Sequence, residues 1–366
     1  MGVSLSRRGL LAGLAAGGVA AVSPRARAQS PVVDGPELYP GERALAEAAQ
    51  REGLIVSCNT SPTWANYGAL FRAFGQRYPN LALVHNAIGS AAAVMLLDRT
   101  RNRPTMDSVY YFGPSGIDAA SRGVLAPFKP VNFDRLAPAF RENDGLWFAV
   151  HQMPVVFAVN RRLVRSVPRA WADLRKPDYK GMVVYSDPRT TTVGLTVAFA
   201  ANAAIGGTLD SVQPGIDFLG ELHQAGQILR VDADTPYAAF LRGQVPIWLT
   251  FENDGLRAAV VDGMGDQAEV VLPTDGTVSV PYTASLVRGA RNDPGARLWL
   301  NFQVTETGQR LFAEGLVRPA LPGVTLPPEI AQRMPAPPKL DQLDLTRALF
   351  RKPDIDRGWS RVVLGQ

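Results

Sequence analysis

Three observations predict an α/β protein of two lobes, each a mixed, mostly parallel sheet flanked by helices. Short apolar strands alternate with helices through the first third of the chain, the same alternation returns further on, and two long apolar runs stand where the chain would cross between the lobes.

The first alternation begins with an Ala-, Glu- and Arg-rich helix from Gly41 to Glu52, followed by the apolar strand Leu54 to Cys58. Asn59-Thr60-Ser61-Pro62 breaks that strand, and Trp64 to Tyr78 has helical spacing with Leu70, Phe71 and Phe74 on one face. Leu81 to His85 is the next strand, Ala91 to Arg101 a helix, and Met106 to Tyr111 a third strand. The second run starts at the strand Met182 to Tyr185 and continues through the polar loop Asp187 to Thr192 into the helix Val193 to Ile205. Strands follow at Val245 to Thr250 and Ala268 to Leu272, with a turn at Phe251 to Gly255 and a helix from Leu256 to Val261 between them. Phe148 to Asn160 and Val278 to Val287 are the two crossing segments expected to form the hinge. Pro294 to Phe312 reads as one helix with Leu298, Leu300, Phe302 and Leu311 inward, and the tail carries a short amphipathic helix near Asp341 to Phe350. The expected division is a first lobe of residues 33–150 plus 284–320 and a second of 155–280, which the tail 321–366 either joins or leaves.

The N-terminus differs from the rest. Arg7 and Arg8 precede an apolar stretch from Leu10 to Val22, and Ala26-Arg27-Ala28 places small residues where a signal peptidase reads them. The stretch is shorter than the roughly 20 apolar residues a spanning helix needs. A twin-arginine export signal over residues 1–28, cleaved near Ala28, is therefore expected, which places the mature protein in the periplasm. No cysteine follows that would carry a lipid anchor. Removing Arg7, Arg8, Arg25 and Arg27 lowers the formal charge from +5 to +1. A nearly neutral chain without a long basic run does not predict nucleic-acid binding. The single cysteine, Cys58, excludes an intramolecular disulfide and reads as a buried structural thiol.

Catalytic signatures are missing. The sequence has no G-x-S-x-G elbow, H-E-x-x-H, C-x-x-C or P-loop, and Gly113-Pro114-Ser115-Gly116 has the wrong spacing for an elbow. Gly263-Met264-Gly265-Asp266-Gln267-Ala268 leads into a strand and not a helix, so it is no dinucleotide fingerprint. His85, His151 and His223 are scattered and read as core or surface residues, with no metal site and no cofactor expected. What the chain does carry is polar or glycine-containing loops between strands and helices: Thr60-Ser61, Gly89-Ser90, and Arg189 with Thr190, Thr191 and Thr192. In an open α/β sheet ligands sit at such loops, where helix N–H groups attract anions and a guanidinium binds carboxylate or phosphate. Plain helix capping is the alternative for each loop taken singly.

With these segments in view the chain resembles the periplasmic solute-binding proteins of ABC importers, in the group that includes ferric-ion, polyamine, thiamine and phosphonate binders. The resemblance rests on Asn86 to Ser90, Pro154 to Arg161, Pro168-Arg169-Ala170-Trp171-Ala172-Asp173-Leu174, Pro177 to Gly181 and Asp187-Pro188. It continues in Gly289 to Ala296 and Thr305 to Gln309, and spans residues 50 to 320. It implies a monomeric receptor, not an enzyme, that closes by a hinge on one small-molecule solute and presents it to an inner-membrane ABC permease. Ferric binders of the group carry adjacent tyrosines where this chain has Phe251-Glu252-Asn253-Asp254, and its own pair Tyr110-Tyr111 falls in the first lobe. Glu252 and Asp254 suit an ammonium group, and Arg189 with the threonines suits an acid group. Together they suit a polyamine, a zwitterion such as an aminophosphonate, or a small organic anion; a ferric ion or chelate, or an exported enzyme on the same fold, is the alternative. Capping of the following helix is the other reading of Glu252 and Asp254. Tyr111, Phe112, Trp64 and Tyr282 are expected to line the cleft, or else to belong to the core.

Overall fold

The computed structural model describes residues 32–231, 236–337 and 339–366. The expected export signal, residues 1–28, lies outside them.

The first alternation runs α1 (Glu42–Glu52), β1 (Leu54–Cys58), α2 (Tyr67–Arg77), β2 (Ala82–His85), α3 (Ser90–Arg99), β3 (Ser108–Phe112), α4 (Gly113–Ser121) and β4 (Leu125–Ala126). The long apolar run is β5 (Phe148–Asn160). The second alternation is β6 (Val183–Val184), α5 (Thr192–Ala204), α6 (Gln213–Gln224), α7 (Tyr237–Leu241), β7 (Ile247–Phe251), α8 (Glu252–Val260) and β8 (Ala268–Val271). The return crossing is β9 (Thr277–Val287), followed by α9 (Asp293–Gln303), α10 (Glu306–Glu314), β10 (Arg318–Pro319), α11 (Pro328–Arg333), β11 (Leu340–Gln342) and α12 (Leu345–Trp359).

The strands lie in the order β2-β1-β3-β9-β5-β7-β6. β1 is parallel to β2 and β3, and β6 to β7, while β3–β9, β9–β5 and β5–β7 are antiparallel. β5 is shared between two half-sheets. Its first part pairs with β9, and its second part pairs with β7 and β8. All 13 of its residues are buried, which is why it reads as an unbroken apolar run and not as an alternating one. The two half-sheets with the helices packed on them are the two lobes of the fold. An irregularity in register between Ala149 and His151 sets His151 opposite Tyr282 across the β5–β9 pair.

Three local expectations are corrected. Pro294 to Phe312 is two helices, because Thr305 accepts a hydrogen bond from the Gly308 N–H at 3.1 Å and starts α10 afresh. Leu298, Leu300 and Phe302 point inward as expected, but Leu311 is only half-buried. The tail helix begins later and runs further than expected, from Leu345 to Trp359, capped by Asp344 on the Arg347 N–H at 3.0 Å. Glu252 and Asp254 lie in the first turn of α8 and not in a turn before it.

Trp171 shows how the loop after β5 is anchored. Its indole N–H donates to the Gly276 carbonyl at 3.0 Å, its ring meets Phe157 edge-on at 5.1 Å, and the Asp275 carboxylate accepts from the backbone N–H groups of Trp171 and Ala172. The whole side chain is buried. Trp171→Ala is expected to cost about 3–5 kcal/mol, read as a lower urea midpoint with an unchanged slope; a loss below about 1 kcal/mol would show that the loop is held by other contacts.

Candidate functional site

The rim of the first lobe is organised by one side chain at the end of β1. Asn59 has a left-handed φ of 61°, which asparagine tolerates better than most residues. Its Oδ1 accepts from the N–H groups of Ile88 at 3.2 Å and Gly89 at 2.8 Å, and its Nδ2 donates to the Tyr110 carbonyl at 2.9 Å. Its own N–H donates to Asn86 Oδ1 at 2.8 Å. The ends of β1, β2 and β3 are thereby tied together. Ser90 adds a fifth bond, its hydroxyl accepting from the Phe112 N–H at 3.1 Å.

Below this rim lies an aromatic wall. The Trp64 indole N–H donates to the Tyr110 hydroxyl at 2.8 Å, and that hydroxyl stands 2.7 Å from His151 Nε2. A hydroxyl that accepts the indole proton has its own proton to place, and Nε2 is the acceptor in reach. This puts the imidazole proton on Nδ1, which has no partner among the described residues. Burial pushes the His151 pKa down to about 3, so the ring is neutral. Tyr282 stacks on both neighbours, 5.4 Å from Tyr110 and 5.0 Å from His151, and its ring lies 5.9 Å from Trp64. Burial, and then the nearby charge of Asp254, raise the Tyr282 hydroxyl pKa, so wall and carboxylate share one electrostatic neighbourhood.

The second lobe contributes the start of α8. A cavity of about 350 Å³ is lined by Trp64, Ala65 and Asn66 on one side, by Asn253, Asp254 and Arg257 of α8 and Val261 just after it on another, and by the turn Glu314 to Val317. The two carboxylates of α8 behave differently. Glu252 is 3% exposed and grips Arg318 through two bonds of 2.9 and 2.6 Å, so its charge is neutralised inside the protein. Asp254 accepts from the Thr250 hydroxyl at 2.9 Å, and no ion pair closes on it among the described residues. Arg257, one turn on, directs its Nε to Asp262 at 3.0 Å. Burial raises the Asp254 pKa to about 6, against the lowering pull of Thr250 and Arg257. Beside it, Asn253 Oδ1 is buried without a partner among the described residues.

Asp254 and Tyr282 thus come together, with Trp64 beside them. Thr60 is fully buried just after β1 with its hydroxyl unpaired among the described residues, and Ser61 is engaged with the Thr63 hydroxyl at 3.0 Å. The remaining residues expected at the site are held elsewhere or otherwise. Tyr111 points to the opposite face of β3, where its hydroxyl meets Ser285 Oγ at 2.6 Å, and Tyr110 takes the place expected of it. The Gly89 N–H is already bonded to Asn59. Arg189 forms a two-pronged pair with Asp187, and its guanidinium lies 4.8 Å over the Trp359 ring. Thr191 caps α5, accepting from the Gly194 N–H at 3.1 Å, so capping accounts for it. Thr190 is exposed, and the Thr192 carbonyl accepts from the Thr196 hydroxyl at 2.8 Å. Cys58 is buried with its thiol pushed up to about 12, as a structural thiol should be. Asn59 showed in the sequence only as part of a strand break and Tyr110 only as half of a tyrosine pair, and Arg318 gave no local signal. Arg318 lies 66 residues from the carboxylate it neutralises.

Two stability measurements test this electrostatic assignment. Arg318→Met leaves Glu252 buried without a counter-charge and is expected to destabilise by about 3–5 kcal/mol in denaturant unfolding; a neutral result would mean that Glu252 finds another partner. Asp254 titrates near 3.8 in the unfolded chain and near 6 in the folded one. The folded state holds the proton more tightly, so ionisation costs stability; the cost is absent below about pH 4 and complete above about pH 6. Asp254→Asn is expected to stabilise the solute-free protein by about 3 kcal/mol at neutral pH, with the gain fading as pH falls toward 4. A gain that is the same at both ends would contradict the assignment.

Comparison with known proteins places this geometry. The model of the bacterial extracellular solute-binding protein family matches residues 109–346. An uncharacterised protein of Haemophilus influenzae is 29% identical over 282 residues, 73% of this chain and 78% of that protein. A putative 2-aminoethylphosphonate-binding periplasmic protein of Salmonella typhimurium is 24% identical over 62% of this chain and 65% of its own length. Among solved structures, the periplasmic binding protein AfuA of Actinobacillus pleuropneumoniae, with fructose-6-phosphate bound, shares the fold with a TM-score of 0.64 at 20% identity, covering 85% of this chain and 98% of that one. The two-lobed sheet and the family match over most of the chain agree, and the protein belongs to the bacterial extracellular solute-binding protein family.

Proposed function

We propose that the protein is the periplasmic receptor of an ABC importer, capturing a small solute that carries an ammonium group and delivering it to a membrane permease. A polyamine or a zwitterion such as an aminophosphonate fits this description. The observation that carries the reading is Asp254: a carboxylate without an ion pair among the described residues, in the cavity that Trp64 also lines and close enough for its charge to act on Tyr282. An ammonium placed there gains a charge-assisted bond and the negative face of an aromatic ring, the latter worth about 0.5–2 kcal/mol depending on desolvation. A simple anion finds less, because the Arg189 guanidinium is engaged by Asp187. Ferric coordination by the tyrosine pair would first have to displace the bonds of Tyr110 to His151 and of Tyr111 to Ser285. The zwitterion reading has support in the name of the Salmonella typhimurium relative.

In this reading the first lobe comprises residues 33–150 and 284–320 and the second 155–280, and β5 and β9 bend as they close on the solute. The exported protein works as a monomer without a cofactor.

The test is a thermal-shift and calorimetric series with 2-aminoethylphosphonate, putrescine and spermidine against simple phosphonates and carboxylates. A true ligand at a hundredfold excess over its Kd stabilises by about 2.7 kcal/mol, a rise of several degrees. Affinity should weaken as pH falls through 6, because a protonated Asp254 cannot pair with an ammonium. Asp254→Asn should lower it by tenfold or more. Shifts confined to the anions that lack an ammonium, or an Asp254→Asn variant that binds as tightly as the parent, would overturn the reading.

A further inference from the structure

The C-terminal segment touches both lobes and the crossing strand between them. β11 runs parallel to the start of β9, with Leu340 beside Thr277 and Gln342 beside Ser279, and the Leu343 N–H donates to the Ser279 carbonyl at 3.0 Å. From there α12, 15 residues and so about 22 Å long, packs on α4 of the first lobe and on α5 and α6 of the second. We propose that residues 339–366 form a strap that limits how far the two lobes open in the solute-free protein.

The two ends of the strap are held unequally. On the second lobe the grip is dense and partly polar. The Trp359 indole N–H donates to the Tyr185 hydroxyl at 2.8 Å, which in turn lies 2.8 Å from His223 Nε2, while the Arg189 guanidinium covers the same indole. Arg351 Nε donates to the Leu209 carbonyl at 2.7 Å. Gly358 lies so close to α6 that a Cβ there would stand 2.6 Å from Ile216 Cδ1. On the first lobe the contact is apolar and small. Leu345 rests on the backbone of Gly113, the first residue of α4, where a Cβ would run into Leu345 itself and into the Pro281 carbonyl at 2.9 Å. A glycine at each end therefore lets the helix seat directly against its neighbour. Opening the lobes must lift Leu345 from Gly113 while α12 stays with the second lobe, and must strain the β11–β9 pairing. The strap thus biases the lobes toward the arrangement seen here. A receptor whose binding-ready arrangement is already populated captures solute more tightly and releases it more slowly.

The inference concerns the empty protein, so it can be tested without knowing the solute and can fail independently of the ligand reading. Glu47→Cys on α1 and Asp266→Cys beside β8 are both exposed and sit on opposite lobes. Spin labels on this pair report the lobe-to-lobe distance by pulsed dipolar spectroscopy, and the buried Cys58 stays unlabelled. Leu345→Ala and Trp359→Ala, each checked by circular dichroism for a folded chain, should shift the distribution to longer distances and broaden it. Trp359→Phe, which keeps a ring under Arg189 but loses the bond to Tyr185, should give a smaller shift in the same direction. If Leu345→Ala does not fold, the Trp359→Phe result decides. Distributions that superimpose on the parent's would overturn the proposal.

Discussion

The rest of the structure hangs on the antiparallel pairing of β5 with β9. β5 is buried along its whole length and β9 along all but one residue, and between them they supply a strand to each half-sheet. A strand shared in this way cannot slip by one residue without moving every side chain to the opposite buried face and out of the packing it makes in both lobes. The pair therefore serves as a rigid register mark even though it is the segment about which the lobes would turn. It also delivers the chemistry of the cleft, since His151 and Tyr282 face each other on it.

Charge in the site is distributed by what each group can reach. Glu252 and Asp254 are two residues apart in the same helical turn, yet one is neutralised by Arg318 and the other is left to titrate near 6. Arg189, a cation of the kind that would bind an acid group, is turned to Asp187 and Trp359. A half-buried carboxylate with no counter-ion among the described residues is a cost to folding that an apolar or amide side chain would avoid. Such a cost persists where binding needs it, as local strain does at functional sites. The same logic covers the unpaired oxygen of Asn253 in the adjoining position.

The split between what could and could not be read from the residues runs along identifiable lines. The crossing runs were legible because length and unbroken apolarity are local properties, and Trp171 was legible as part of a family stretch. The break at Thr305 was not, because a threonine between apolar residues fits a helix interior almost as well as a cap. Tyr110 and Tyr111 form the sharpest case. Adjacent strand residues face opposite sides, and only the packing of α2 and α10 determines that Tyr110 faces the Trp64 side while Tyr111 meets Ser285.

The sequence by itself determined the two-lobed α/β architecture, the crossing strands, the single buried thiol and the family, because these follow from periodicity, composition and contiguous motifs. Only the tertiary structure decided which polar groups remain free. That Glu252 is neutralised by Arg318, that Trp359 covers the Arg189 guanidinium, and that the tail returns as α12 to both lobes all depend on contacts between residues far apart in the chain. A side chain's charge is written in the sequence, but its availability depends on which partner comes within reach, and that is settled only when the chain packs.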